Sequence, residues 1–146
     1  MKIEIKKKSQ YHCEYTLTRT NKSVEHIALE TKTYFVHDIC HYVVEKNLQY
    51  SKGFWGMLSQ GHTFNDLFGK ENPQTTELRI IEQIVGPIQS VHLGHIPIQN
   101  FEQSISHLNF TVPENILYTC LVEINTIIES WGQLQVGQQL TLEWKL

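Results

Sequence analysis

The sequence predicts an α+β fold: an antiparallel sheet made of an N-terminal three-strand meander plus a C-terminal strand, with four to five helices packed on one face. Three observations predict it. Apolar and polar residues alternate over the first thirty positions. The apolar period then lengthens to that of helices, and alternation returns in the last seven residues. Period two marks strands with one buried face, and spacings of three and four mark helices with an apolar stripe.

Ile3 and Ile5 are interleaved with Lys2, Glu4 and Lys6, and Tyr11, Cys13, Tyr15 and Leu17 with His12, Glu14, Thr16 and Thr18. Asn21-Lys22-Ser23 reads as a turn, and Glu25-His26-Ile27-Ala28-Leu29 as a third strand. The basic run Lys6-Lys7-Lys8 reads as a solvated strand edge that blocks sheet-to-sheet pairing.

A first helix is expected over residues 33–47 and a short second one over 51–58, its glycines set where backbones approach closely. A third is expected over 75–85, with Leu78, Ile81, Ile84 and Val85 inward and Gly86-Pro87 as its stop. Ile98, Phe101, Ile105 and Leu108 outline a fourth over 98–108. The last helix is expected to begin with Thr111 as cap, Pro113 in its first turn and Glu114 completing a capping box, and to end at Gly132. Its stripe runs Ile116, Leu117, Cys120, Leu121, Ile124, Ile127, Ile128, Trp131. Leu140, Leu142 and Trp144 alternate with Thr141, Glu143 and Lys145, giving a final strand that returns to the meander.

A chain of 146 residues suits one domain, residues 1–146. Its 40% hydrophobic and 18% charged residues are a globular composition, and the low charge leaves room for a homo-oligomer. A formal charge of −3 gives no reason to expect nucleic acid. No apolar run reaches the ~20 residues of a membrane span, so no membrane is expected. Cys13, Cys40 and Cys120 lack CxxC spacing and read as reduced, buried thiols of a cytoplasmic protein. No dinucleotide, phosphate-loop or serine-hydrolase motif occurs.

The concentrated chemical signal is on the first helix. With His37 at the origin of a helical wheel, His41 falls at about 40°, Glu45 at about 80° and Asp38 at about 100°. The rest of the wheel is almost entirely apolar: Phe35, Val36, Ile39, Cys40, Tyr42, Val43 and Val44. A helix apolar over most of its girth is buried. Its narrow polar row then faces solvent or a cavity. Histidines at i and i+4 can reach one metal ion, and Glu45 continues the same row. The expected site is therefore a divalent metal, zinc or iron, held by His37, His41 and Glu45, with Asp38 as catalytic base or orienting group. Its expected partner is a small molecule, and its expected chemistry is metal-assisted hydrolysis or similar. His37-Asp38-Ile39-Cys40-His41 is one methylene short of the His-Glu-x-x-His zinc protease motif. Two other readings stay open. The cluster can be a hydrogen-bonded structural network in a non-catalytic interaction or regulatory protein, or a metal-free acid–base site.

His62, His92, His95 and His107 read as ordinary loop or helix-end histidines. Tyr34 shares the polar arc. Phe54, Trp55, Met57, Phe64 and Phe68 can wall a pocket beside the histidines or simply fill the core.

Phe35-Val36-His37-Asp38-Ile39-Cys40-His41-Tyr42-Val43-Val44-Glu45, followed by Gly53-Phe54-Trp55-Gly56, resembles a bacterial family of small uncharacterised proteins. Its members share an F-x-H-D-x-x-H-x-x-V-E helix and a G-F-[FYW]-G segment. They tend to end in a strand like Leu140-Thr141-Leu142…Trp144. After the glycine-aromatic segment the family carries an acidic-Gly-Trp stretch, where this chain has Ser59-Gln60-Gly61-His62. The resemblance implies importance for the cluster and names no reaction.

Overall fold

The computed structural model describes residues 1–68 and 75–145. Strands β1 (Lys2–Lys7), β2 (His12–Thr18) and β3 (Val24–Glu30) form the expected meander, and β4 (Gln139–Glu143) adds antiparallel to β1. The strand order is β3-β2-β1-β4. Register places Ile27, Tyr15, Ile5 and Leu140 in one row across all four strands. Ile3, Leu17 and Leu142 form the next row. Ile3, Ile5, Cys13, Tyr15 and Leu17 are wholly buried, so this is the face the helices cover. The partners between them on the chain point outward, as alternation requires.

Because β1 is an interior strand, the reading of Lys6-Lys7-Lys8 as a solvated edge is corrected. Lys7 folds over the end of the last helix, donating to the carbonyls of Trp131 at 3.2 Å and Leu134 at 2.9 Å. A cation at a helix C-terminus satisfies carbonyls that lack intrahelical partners.

Six α-helices follow among the described residues, one more than the upper expectation. A π-helical turn (Thr31–Phe35) leads from β3 directly into α1 (Val36–Leu48). Next come α2 (Phe54–Ser59), α3 (Phe64–Phe68), α4 (Thr76–His92), α5 (Phe101–Ile105) and α6 (Ile116–Gln133). The helix α1 packs against α2, α4 and α6, and every residue from Asp38 to Glu45 is buried. It ends at Gln49, which adopts a left-handed conformation with φ 56° and donates to the carbonyls of the last turn.

Three boundaries differ from expectation. The helix α4 runs through Gly86-Pro87 to His92, because Ile84, Val85 and Ile88 continue one fully buried stripe. Burying such a side chain contributes ~1.5–3 kcal/mol, comparable to the ~3 kcal/mol an interior proline costs. The expected 98–108 helix is a 3-10 turn (Ile98–Asn100) followed by the short α5. The helix α6 starts at Ile116 with Asn115 at its cap, so Pro113 and Glu114 precede it in a turn and Thr111 lies in irregular chain before that turn. No helix among the described residues is long and apolar enough to cross a membrane.

Arg19 secures the connection between sheet and helices. It is buried, donates from Nε to the Leu58 carbonyl at 2.6 Å, and pairs with Glu25 at 2.5 Å. The other Glu25 oxygen accepts from the Phe64 N–H at 2.8 Å. This pins the end of α2 and the start of α3 over β2 and β3.

Candidate metal centre

The polar row of α1 faces protein, not solvent. Asp38, His41 and Glu45 are 2%, 3% and 0% exposed, covered by α2 and α4 and the sheet. His37, at the start of the helix, is half-buried. Each member of the row has its own surroundings.

Glu45 is turned toward the start of α2. One carboxylate oxygen accepts from the Phe54 N–H at 2.8 Å, the other from the Trp55 N–H at 2.9 Å and the Gly56 N–H at 3.3 Å. The first N–H groups of a helix have no partner within it, and a carboxylate there satisfies them with charge-assisted bonds. Gly53 makes the seat. A Cβ there would lie 2.6 Å from Glu45 Oε2 and closer still to Glu45 Cδ and Ile81 Cδ1. At Gly56 a Cβ would collide with the backbone of Ser51. Burial pushes the Glu45 carboxyl above the usual carboxylate range, against the pull of His41 and the α2 amides.

His41 bridges two carboxylates. Its Nδ1 lies 3.1 Å from Glu45 Oε1 and its Nε2 lies 3.2 Å from Glu82 Oε1, on α4. Burial pushes its imidazolium down, but hydrogen bonds and charge from Glu45 and Glu82 outweigh this and raise its pKa to about 9. The same contact holds the Glu82 carboxyl below its usual value. His37 places Nδ1 2.8 Å from Gln89 Oε1, also on α4, and its ring centre is 4.6 Å from that of His41.

These contacts bring together a group of side chains that could hold a metal ion. His37, His41 and Glu82 each offer one donor atom, and all three atoms lie within 4.8 Å of one another. Both imidazoles have an oxygen within hydrogen-bond distance of Nδ1, and a proton held there would leave Nε2 for a metal. Metal-ligating histidines are oriented in this way by their outer hydrogen bonds. Two imidazoles and a carboxylate are donors suited to zinc or iron, and three protein ligands leave a further coordination position.

Of the residues predicted from sequence, His37 and His41 lie in this set. Glu45 lies outside it, because its oxygens are engaged by α2 and by His41 Nδ1. Its place is taken by Glu82, half-exposed on the neighbouring helix. Asp38 is also outside the set. Its Oδ2 accepts from the Tyr15 hydroxyl at 3.1 Å and its backbone carbonyl accepts from the Trp55 indole N–H at 2.9 Å. Burial raises the Asp38 pKa to about 7, with Tyr15 and His41 pulling the other way. Glu82 and Gln89 are absent from the sequence reading, and Tyr15 enters it only as a buried strand residue. Glu82 and Gln89 are spaced by two helical turns on α4, so they share a face, but nothing local marks that face as the partner of α1.

A cavity of about 250 Å³ adjoins the set, lined by His37, Asp38, His41 and Glu82 and by the apolar walls Phe54, Leu67, Phe68 and Leu78. Tyr34 stands at its rim, 41% exposed and 6.0 Å from the Phe68 ring. Phe54 lies 5.7 Å from Phe68 and 5.8 Å from His41. Part of the aromatic stretch therefore walls a pocket, while Trp55 and Met57 belong to the core. The ligand set includes none of His62, His92, His95 and His107. His92 instead meets Asn125 Oδ1 at 2.9 Å. Compared with models of known protein families, with curated proteins and with solved structures, the chain matches none.

Proposed function

We propose that the protein binds one divalent transition metal, zinc or iron, through His37, His41 and Glu82, and uses it on a small molecule held in the adjoining cavity. The observation that carries this reading is that one donor atom from each of His37, His41 and Glu82 lies within 4.8 Å of the other two beside the cavity, with an oxygen near Nδ1 of each imidazole. A metal so placed supplies Lewis-acid activation of water or of a polarised bond, which fits hydrolysis of a small substrate. Glu45 and Gln89 are positioning residues for the two histidines. The three free, buried cysteines fit a reducing, cytoplasmic setting.

A second reading rests on a specific observation. His41 already has a carboxylate at each nitrogen, so the cluster is complete as a structural ion-pair network in a non-catalytic interaction or regulatory protein. Elemental analysis and zinc titration of wild-type, His37→Ala and Glu82→Gln proteins separate the two. The metal reading expects near-stoichiometric metal in wild type, lost in both variants. Trace metal in protein produced with supplemented zinc and iron, together with a melting temperature indifferent to both ions, would leave the structural reading standing.

A further inference from the structure

We infer that the cavity ligand is a small 2-hydroxy or 2-amino acid with an apolar side chain, its carboxylate on the metal and the donor of the neighbouring carbon on Asp38. The inference rests on the metal reading and deepens it. The polar groups that line the cavity form one continuous patch. The rings of His37 and His41 are 4.6 Å apart between centres, and Glu82 Oε1 lies 3.2 Å from His41 Nε2. Asp38 precedes His41 by three residues on α1, which makes the two side chains neighbours, ~5–6 Å apart at Cβ. All four residues line the same cavity. A ligand atom on the metal is therefore close to Asp38.

The two parts of this patch call for different atoms. A dication held by two neutral imidazoles and one carboxylate keeps a net positive charge, so its remaining coordination position favours an anionic oxygen. Asp38 calls for a donor. Its Oδ2 accepts from the Tyr15 hydroxyl at 3.1 Å, but Oδ1 has no hydrogen-bond partner among the described residues, although the side chain is buried. A buried polar atom left unpaired is costly, so this oxygen is satisfied by a donor from whatever enters. A head group that meets both demands at short range carries acid and donor on adjacent carbons. Apart from Tyr34 at the rim, the rest of the lining is Phe54, Leu67, Phe68 and Leu78, which offers contact but no polar side-chain atoms. At about 250 Å³ the space is below the usual range for drug-sized ligands and suits a single ring with its substituents.

Asp38 is then the residue that determines specificity. Sites that bury an acceptor for a substrate hydroxyl reject analogues lacking that hydroxyl far more strongly than apolar pockets reject a missing methylene. Three probes test this on zinc-loaded protein by calorimetry. The better-bound enantiomer of mandelate has its hydroxyl beside the carboxylate. In 2-fluoro-2-phenylacetate a fluorine takes that place and removes the donor. In 4-hydroxyphenylacetate the donor moves to the far end of the ring. The expected result is saturable binding of mandelate, at least about tenfold tighter than either analogue. In Asp38→Asn, which accepts from Tyr15 through its one oxygen and turns its N–H₂ to the ligand, the preference should shrink to less than about threefold while bound zinc is unchanged. Mandelate no tighter than one of the analogues in wild type, or no saturable binding of mandelate below about 1 mM, would overturn the inference. So would a preference that survives in Asp38→Asn, since the hydroxyl would then be read by the metal alone. Unchanged zinc shows that the variant is folded; if it loses zinc, the wild-type comparison of mandelate with 4-hydroxyphenylacetate decides. Each overturning outcome, seen in protein that holds zinc, leaves the metal reading intact. Protein that takes up no zinc removes both.

Discussion

The carboxylate of Glu45 occupies the space that a side chain on Gly53 would need. The two residues come from segments that look independent in the sequence, the histidine helix and the glycine-aromatic stretch. In the fold they are one joint: α1 supplies the carboxylate, and α2 supplies the amides that bind it.

Adding a single methyl at that joint should therefore disturb both stability and metal binding. Gly53→Ala is expected to cost ~1–3 kcal/mol, the range for forcing atoms into a filled interior. Glu45 must give way, so His41 loses its orienting partner and zinc affinity falls in the same protein. Urea unfolding and zinc titration on one preparation check this; a variant unchanged in both would show that the seat is not tight.

Glu45→Gln keeps the shape of the side chain but presents an N–H₂ group where amides and an imidazole also donate. The expected stability loss is ~1–3 kcal/mol for unsatisfied buried donors. Zinc affinity should drop ~10–100-fold, the usual effect of removing a partner that orients a ligating histidine. A variant with native affinity would mean that Glu45 serves folding alone.

Glu82 should behave in the opposite way. Its side chain is about half exposed, and its pairing with His41 is screened by solvent accordingly. In chelator, Glu82→Gln should unfold within about ±0.5 kcal/mol of wild type, yet its zinc binding should be abolished. A Glu82→Gln protein that still holds stoichiometric zinc would point to another third donor.

The metal-free protein should lose stability as pH rises. His41 faces His37, Asp38 and Glu45 along α1 and Glu82 across from α4, and its folded pKa of about 9 lies above the ordinary histidine value of 6.5. The folded state therefore holds its proton more tightly, and this stabilisation is complete below pH 6.5 and fades as pH climbs through about 9. Asp38, raised from 3.8 to about 7, acts in the same direction over a lower window, since ionising it inside the fold is unfavourable. Denaturation in chelator between pH 5 and pH 10 should show a continuous decline. His41→Ala should flatten the upper part and Asp38→Asn the lower; a rise of stability with pH would contradict both assignments.

Burial pushes the thiols of Cys13, Cys40 and Cys120 up to about 12. A thiol reagent at pH 8 should leave the folded protein almost unmodified and label all three cysteines in urea. Rapid labelling of the native chain would show that one of them is reachable.

Strand alternation and helical stripes made the sheet, its closing strand and the burial of α1 legible, because each is written within a few consecutive residues. Gly86-Pro87 misled for the same local reason: the stop signal is short-range, whereas the buried contacts of Ile88 that carry α4 past it are not. The capping box expected at Thr111 lost to a turn over residues 113–115 for which periodicity holds no information. At the site, i and i+4 spacing singled out His37 and His41, which the fold does bring beside a common carboxylate, and added Glu45, which it turns toward α2, since sharing a row on a helix says nothing about what lies opposite. The α2 amides took that carboxylate, and Glu82 entered from a helix about forty residues downstream. Such a donor becomes visible only when the packing of α1 on α4 is known.

The placement of Glu82 and Gln89 has a consequence for how this cluster could be altered. His41, Asp38 and Glu45 of α1 are immersed in the interior, so changes there are judged first by whether the chain still folds. The α4 contribution sits at the cavity margin with access to water, where a histidine, aspartate or cysteine in place of Glu82 meets few neighbours. If the proposed metal binding holds, substitution at that one position is the inexpensive route to a different ion preference, and a laboratory search for metal chemistry in this scaffold would begin on α4.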